Sequence, residues 1–132
     1  MERSNLIICV IGLDFVGLLT ATLLAERGYN VIGVDISAQK VSMVNRGLSY
    51  LNEPGLNEIL SHAVYNGRPR ATIDVEEALG ICGAVLIDVP TPVKNGVADL
   101  SQVVSVSKAI ARKLRRNMLL LSLQCLRVLL VV

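Results

Sequence analysis

The chain is nearly without aromatic residues: it has no tryptophan, one phenylalanine and three tyrosines among 132 residues. A nucleic-acid module that stacks bases on aromatic rings is thereby excluded. An excess of one charge sign is missing too, since 13 basic and 11 acidic residues leave a formal net charge of +2, which points to no particular partner. Histidine occurs once, as His62, and no cysteine, second histidine or acidic cluster stands near it, so a solvated helical histidine and no metal site are expected. Cys9, Cys82 and Cys125 form no CxxC pair, and an odd, unpatterned set reads as reduced intracellular thiols used as small core residues. Met1-Glu2-Arg3-Ser4 leads straight into a strand that the fold needs, so no signal peptide is expected. The apolar stretch Met118 to Val132 is too short to span a bilayer comfortably and contains Gln124 and Arg127, so no membrane partner is expected and the cytoplasm is the expected location.

What is present is aliphatic: 52% of the residues are apolar, a composition that suits a parallel sheet buried on both faces by helices. The length allows one domain with a real core, and is short for an oxidoreductase that also needs a substrate domain. The organising stretch runs from Leu6 to Asp35. An apolar β-branched run, Leu6 to Ile11, is followed by the turn Gly12-Leu13-Asp14-Phe15-Val16-Gly17, a helical face through Leu18, Ala21, Leu24 and Ala25, a stop at Gly28, and a second strand, Val31 to Asp35. In such a βαβ unit the pyrophosphate of a dinucleotide sits at the helix N-terminus, and a carboxylate ending the second strand takes the adenosine ribose. Asp35 is in that place.

The turn departs from the Gly-x-Gly-x-x-Gly pattern. Gly12 and Gly17 are kept, but the middle glycine, where backbone and pyrophosphate approach most closely, is replaced by Asp14. A carboxylate there adds bulk and a like charge beside two phosphates. Asp14 also qualifies as an N-cap for the helix that follows, and the two roles can coexist because cap and phosphate compete for the same N–H groups.

Further along, Ser37 is an N-cap candidate for a helix through Asn45, which places Lys40 within reach of the adenosine end. Residues 46–54 form a loop, and Leu56, Ile59, Leu60 and Ala63 mark a helix through Tyr65. Ala71 to Ile73 is a short strand. Asp74 with Glu77, and Asp99 with Gln102, each form a capping-box pattern, the second opening a helix to about Arg115. Ala84 to Val89 is a fourth strand whose end carries Pro90-Thr91-Pro92, at the sheet edge where open α/β folds bind ligands, so the Thr91 hydroxyl is a cofactor candidate. Lys108, Arg112, Lys113, Arg115 and Arg116 are read as a solvated helix end. The resulting expectation is an α/β chain: a Rossmann-type, doubly wound parallel sheet of order 3-2-1-4-5 in a three-layer α/β/α arrangement.

Several motifs then coincide: Val10-Ile11-Gly12-Leu13-x-Phe15-Val16-Gly17-Leu18, Val31 to Asp35, Asn45-Arg46-Gly47, Asn52-Glu53-Pro54-Gly55-Leu56, Ala71-Thr72-x-Asp74 and Val89-Pro90-Thr91-Pro92-Val93. Together they resemble the NAD-binding domain of the UDP-glucose/GDP-mannose dehydrogenase family, nearest in look to its UDP-N-acetyl-D-mannosamine dehydrogenases. The resemblance implies NAD as cofactor and a UDP-sugar as the full-length family's substrate, oxidised from alcohol to carboxylate in two hydride transfers. It also implies contacts from Phe15 and Val16 at the NAD turn, from Asp35 and Lys40 near the adenosine ribose, and from Thr91 on the nicotinamide side. It covers about Leu6 to Asn117, so residues 1–117 are expected to form the NAD-binding domain and 118–132 an apolar tail, with the substrate domain absent. None of the three cysteines matches the family's nucleophile, and no catalytic residue is nominated. The tail invites a frameshift reading: Leu119 to Leu130, back-translated and read two bases later, admits codons for the Glu-Ser-Thr-Val-Pro-Pro-Gly-Thr-Thr-like motif with which the family continues. An exposed apolar end of this kind is expected to favour self-association through the C-terminal sheet edge. A noncatalytic dinucleotide-binding module and a fragment of an NAD-dependent 3-hydroxyacid-type dehydrogenase are the alternatives, and Asp35 opposes an NADP version of the latter, because it would repel a 2′-phosphate.

Overall fold

The computed structural model describes residues 5–122 and, as backbone, 129–131. The chain runs β1 (Ile7–Ile11), α1 (Phe15–Glu26), β2 (Asn30–Val34), α2 (Ala38–Asn45), α3 (Leu56–Tyr65), β3 (Arg70–Thr72), α4 (Val75–Leu79), β4 (Ala84–Ile87), β5 (Val93–Lys94), β6 (Val97–Ala98), α5 (Ser101–Lys113), β7 (Leu119–Ser122) and β8 (Leu129–Val131). The main sheet has the order β3-β2-β1-β4-β7-β8. Its first five strands are parallel, as expected of the order 3-2-1-4-5 once β7 is counted as the fifth. Two features were not foreseen. β8 adds to β7 antiparallel, and the stretch after Pro92 folds into a two-stranded antiparallel hairpin, β5–β6, with Asn95 and Gly96 both at positive φ in its turn. β7 lies within residues 118–132, the stretch set apart above as a tail. Gln124, Cys125 and Arg127, on which the frameshift reading rests, lie outside the described residues.

Alternation along β1 builds two cores. Ile8 and Val10 face one side, where Leu18 and Ala21 of α1, Val44 of α2 and Leu60 of α3 close over them. Cys9 and Ile11 face the other, against Leu79 of α4, Cys82, Ile110 of α5 and Met118. Cys9 and Cys82 are free and fully buried, and the side-chain hydrogen bond with Cys82, with burial adding to it, pushes the Cys9 thiol far above its ordinary value, so it stays protonated. Among the described residues no helix is long and apolar enough to cross a membrane.

Two local expectations are corrected. Asp99 does not cap α5: the helix starts at Ser101 with Leu100 at the N-cap and no side-chain cap bond, while the Asp99 carboxylate accepts from the Ser101 N–H at 3.0 Å and lies 3.4 Å from the Lys94 ammonium. Nor is the basic cluster simply a solvated helix end. Arg112 pairs with Glu76 at 2.6 Å, and Arg115 donates to the carbonyls of Leu79 (2.9 Å) and Cys82, so both arginines tie α5 and its exit to α4. The Leu79 carbonyl is the last of α4, where no intrahelical N–H remains to serve it, and Cys82 lies in the turn that follows. Arg115→Ala should therefore lower stability by about 1–3 kcal/mol in urea denaturation, whereas Lys108→Ala, on an exposed face, should stay within about 0.5 kcal/mol.

Candidate functional site

The register places the ends of four strands together. Ile11 pairs with Val34 and Ile87, and Val34 with Thr72. The ladder then runs one step further: the Gly12 N–H donates to Val34 (2.8 Å), the Asp88 N–H to Ile11 (2.7 Å) and the Asp35 N–H to Thr72 (3.3 Å). Beyond that edge the chain turns sharply into α1, and two glycines are required there. A Cβ on Gly12, whose φ is +99°, would lie 2.1 Å from the Asp88 carbonyl oxygen, and one on Gly17 would lie 1.8 Å from the Gly12 carbonyl oxygen. The middle position is different. Asp14 has φ −75° and ψ −162°, ordinary extended backbone open to any residue, so the turn itself does not demand glycine there.

The Asp14 carboxylate does not cap α1, and that alternative is set aside: its side chain accepts no bond from the helix N–H groups. It pairs instead with the Lys40 ammonium. The backbone of Lys40 is held at the start of α2 by its N–H bond to the capping Ser37 hydroxyl (3.2 Å). The Lys40 ammonium also lies 5.5 Å from the centre of the Tyr50 ring, and the Tyr50 hydroxyl donates to the Leu13 carbonyl. Burial and the charges of Asp35 and Asp14 push the Tyr50 hydroxyl above its ordinary value, which keeps it a donor. Asp35, just past β2, accepts from the Leu13 N–H (2.9 Å) and from the Ser37 N–H (2.8 Å). The fully buried Leu13 side chain packs on Gly33, where a Cβ would lie 2.9 Å from it. The turn is thus gripped through the N–H, the carbonyl and the side chain of one residue.

A cavity of about 330 Å³ opens beside Gly12, Asp14, Asp35 and Lys40. The exposed Ile36 and Ile73, with Val75, give it apolar walls, and Gln102 and Ser105 of α5 bring polar groups to the opposite side. Its size and mostly apolar lining suit a nucleoside with a flat base. Phe15 and Val16, about half exposed, stand at the first turn of α1, and the buried Gly17 follows them. Thr91 is half-buried in the loop after β4 and does not line this cavity, so the site residues inferred from the sequence fall into two groups, one at the cavity and one along the α1 and β4 edge.

Asp88, Tyr50, Gln102 and Ser105 were missed. Asp88 had a signal, an acid inside the apolar run 84–89. Its carboxylate accepts from the Gly17 N–H, and partial burial, with the charge of Asp14 adding to it, pushes its pKa up. Because the folded value lies above the ordinary 3.8, the native state holds this proton more tightly, and the stability so gained is lost as pH rises through the raised value. Asp88→Asn keeps an acceptor for Gly17 and should raise the melting temperature at pH 7 by no more than about 4 °C, an advantage that fades as pH falls towards 4. Thermal unfolding across that range checks it.

Comparison with known proteins points the same way. Residues 6–123 match the model of the UDP-glucose/GDP-mannose dehydrogenase family, NAD binding domain. The chain is 41% identical over 109 residues to a GDP-mannose 6-dehydrogenase of Pseudomonas putida, which covers 82% of this chain and 25% of that protein. It is 40% identical over 116 residues to a UDP-N-acetyl-D-mannosamine dehydrogenase of Campylobacter jejuni, covering 86% and 28%. Among solved structures, a UDP-D-ManNAc dehydrogenase from Pyrococcus horikoshii superimposes with a TM-score of 0.82 at 30% identity, covering 89% of this chain and 28% of that one. The chain therefore spans about a quarter of the length of the relatives it matches.

Proposed function

Because the chain belongs to the UDP-glucose/GDP-mannose dehydrogenase family through its NAD-binding domain, we propose that it holds NAD for the oxidation of a nucleotide-sugar alcohol to a carboxylate, as the cofactor half of such an enzyme. The observation that carries this reading is Asp35. Each of its oxygens already accepts one backbone N–H, from Leu13 or Ser37, which aims the remaining lone pairs beside the cavity. A ribose diol fits such a carboxylate, which can accept from both hydroxyls. Gly12 and Gly17 let the chain turn tightly into α1, and the first turn of that helix at Phe15 and Val16 faces the pyrophosphate. Lys40 stands at the ribose side, and the Thr91 hydroxyl serves the nicotinamide side. NAD, when bound, is the hydride acceptor. This chain's residues bind and orient it, and we assign none of them a catalytic role. A cytoplasmic place of action and self-association through the β7–β8 edge belong to the same proposal.

Calorimetry of the 132-residue chain with NAD, NADP and AMP tests the reading. NAD should bind more tightly than NADP. Asp35→Ala should weaken NAD and AMP alike by roughly tenfold, the loss of one or two hydrogen bonds to a charged acceptor. Equal affinities for NAD and NADP, together with no loss on Asp35→Ala, would remove the ribose assignment.

A further inference from the structure

We propose that Asp14 and Lys40 form an ionic latch at the mouth of the nucleoside cavity, so that the site reads the adenosine end of its ligand fully and the diphosphate only when Lys40 changes partner. The inference rests on the NAD-site reading above and goes beyond it in assigning a role to the acid that replaces the middle glycine.

Both residues line the cavity, and the chain folds so that they meet there. Asp14 is placed by the turn, and Lys40 by the Ser37 cap at the start of α2. Contacts close a ring: Leu13 is bonded to Asp14 in the chain, the Asp14 carboxylate to the Lys40 ammonium, that ammonium lies over the Tyr50 ring, and the Tyr50 hydroxyl returns to the Leu13 carbonyl. The acid stands where the backbone would approach a pyrophosphate, and its own backbone conformation gives no reason for the substitution. A carboxylate paired with the nearest cation occupies the place of a ligand anion. An arriving diphosphate meets Asp14 as a like charge unless Lys40 transfers to a phosphate oxygen. Asp14, with 47% of its side chain already exposed, can then be solvated alone. One ion pair is exchanged for another, so the diphosphate adds little affinity. Adenosine carries no charge and leaves the latch closed.

Four forms of the chain separate these terms: the native protein, Asp14→Gly, Lys40→Met and the double variant, each titrated calorimetrically with adenosine, ADP and NAD. In the native chain adenosine and ADP should bind within about threefold of each other. Asp14→Gly should raise ADP and NAD affinity by roughly tenfold or more, the scale of one ion pair gained between the freed Lys40 and a phosphate, and leave adenosine within about twofold. Lys40→Met in that background should cancel the gain. On its own it leaves an unpaired acid at the turn and should weaken ADP and NAD by about tenfold. Asp14→Asn, which keeps the size and removes the charge, should behave as Asp14→Gly if the glycine form folds poorly. A gain on Asp14→Gly that survives loss of Lys40, or no gain at all while adenosine binds normally, overturns the latch and leaves the NAD site standing. No binding of adenosine, ADP or NAD by any form overturns the site reading, and the latch with it.

Discussion

The close approach of three backbone segments at the sheet edge is the constraint on which the rest depends. Gly12 passes so near Asp88, and Gly17 so near Gly12, that a single methyl group at either position would overlap a carbonyl oxygen. That contact sets where α1 begins relative to β1 and β4, and hence where its first N–H groups stand. It also explains why those two glycines are kept while the one between them is not. The outer pair answer to packing within the protein, whereas the backbone at the middle position is ordinary extended chain open to any residue.

The same distinction organises the electrostatics. In the sequence Asp14 reads as a lone acid set against two phosphates, but in the folded chain it has a counterion 26 residues away, and the pair's net charge is close to zero. The repulsion is therefore converted into competition for Lys40. Asp88 adds a second acid at the start of α1, held by the Gly17 N–H and partly desolvated. Asp35 differs from both, because one backbone N–H on each carboxylate oxygen holds it beside the cavity.

The chain holds the NAD-binding domain of its family, and the matched stretch is about a quarter of the length of the relatives. Its described part closes two cores, and α4, α5 and Met118 complete the second of them without help from another domain. Exposed apolar side chains among the described residues include Val93 and Val97 on the hairpin, and Leu100 and Val104 at the start of α5. These elements follow the end of β4 and the loop that carries Thr91.

Periodicity by itself determined the elements. The apolar runs of β1 and β2, the helical spacing from Leu56 to Ala63, the caps at Ser37 and Asp74 and the stop at Gly28 are local effects, and each element lies within a few residues of where they indicate. The motif spacing likewise determined the family and the position of Asp35. What only the tertiary structure decided is every role that depends on a partner distant in sequence. Lys40 meets Asp14, Tyr50 reaches Leu13, Arg115 serves the end of α4, and Gln102 comes to the cavity because α5 packs beside α4. The β5–β6 hairpin had a signal in Asn95-Gly96 but its two-residue strands carry no period, and the Asp99 cap failed because that acid sits one residue too early. A side chain's charge is written in the sequence, but what neutralises it depends on which strands become neighbours, and that is settled by burial across the whole sheet.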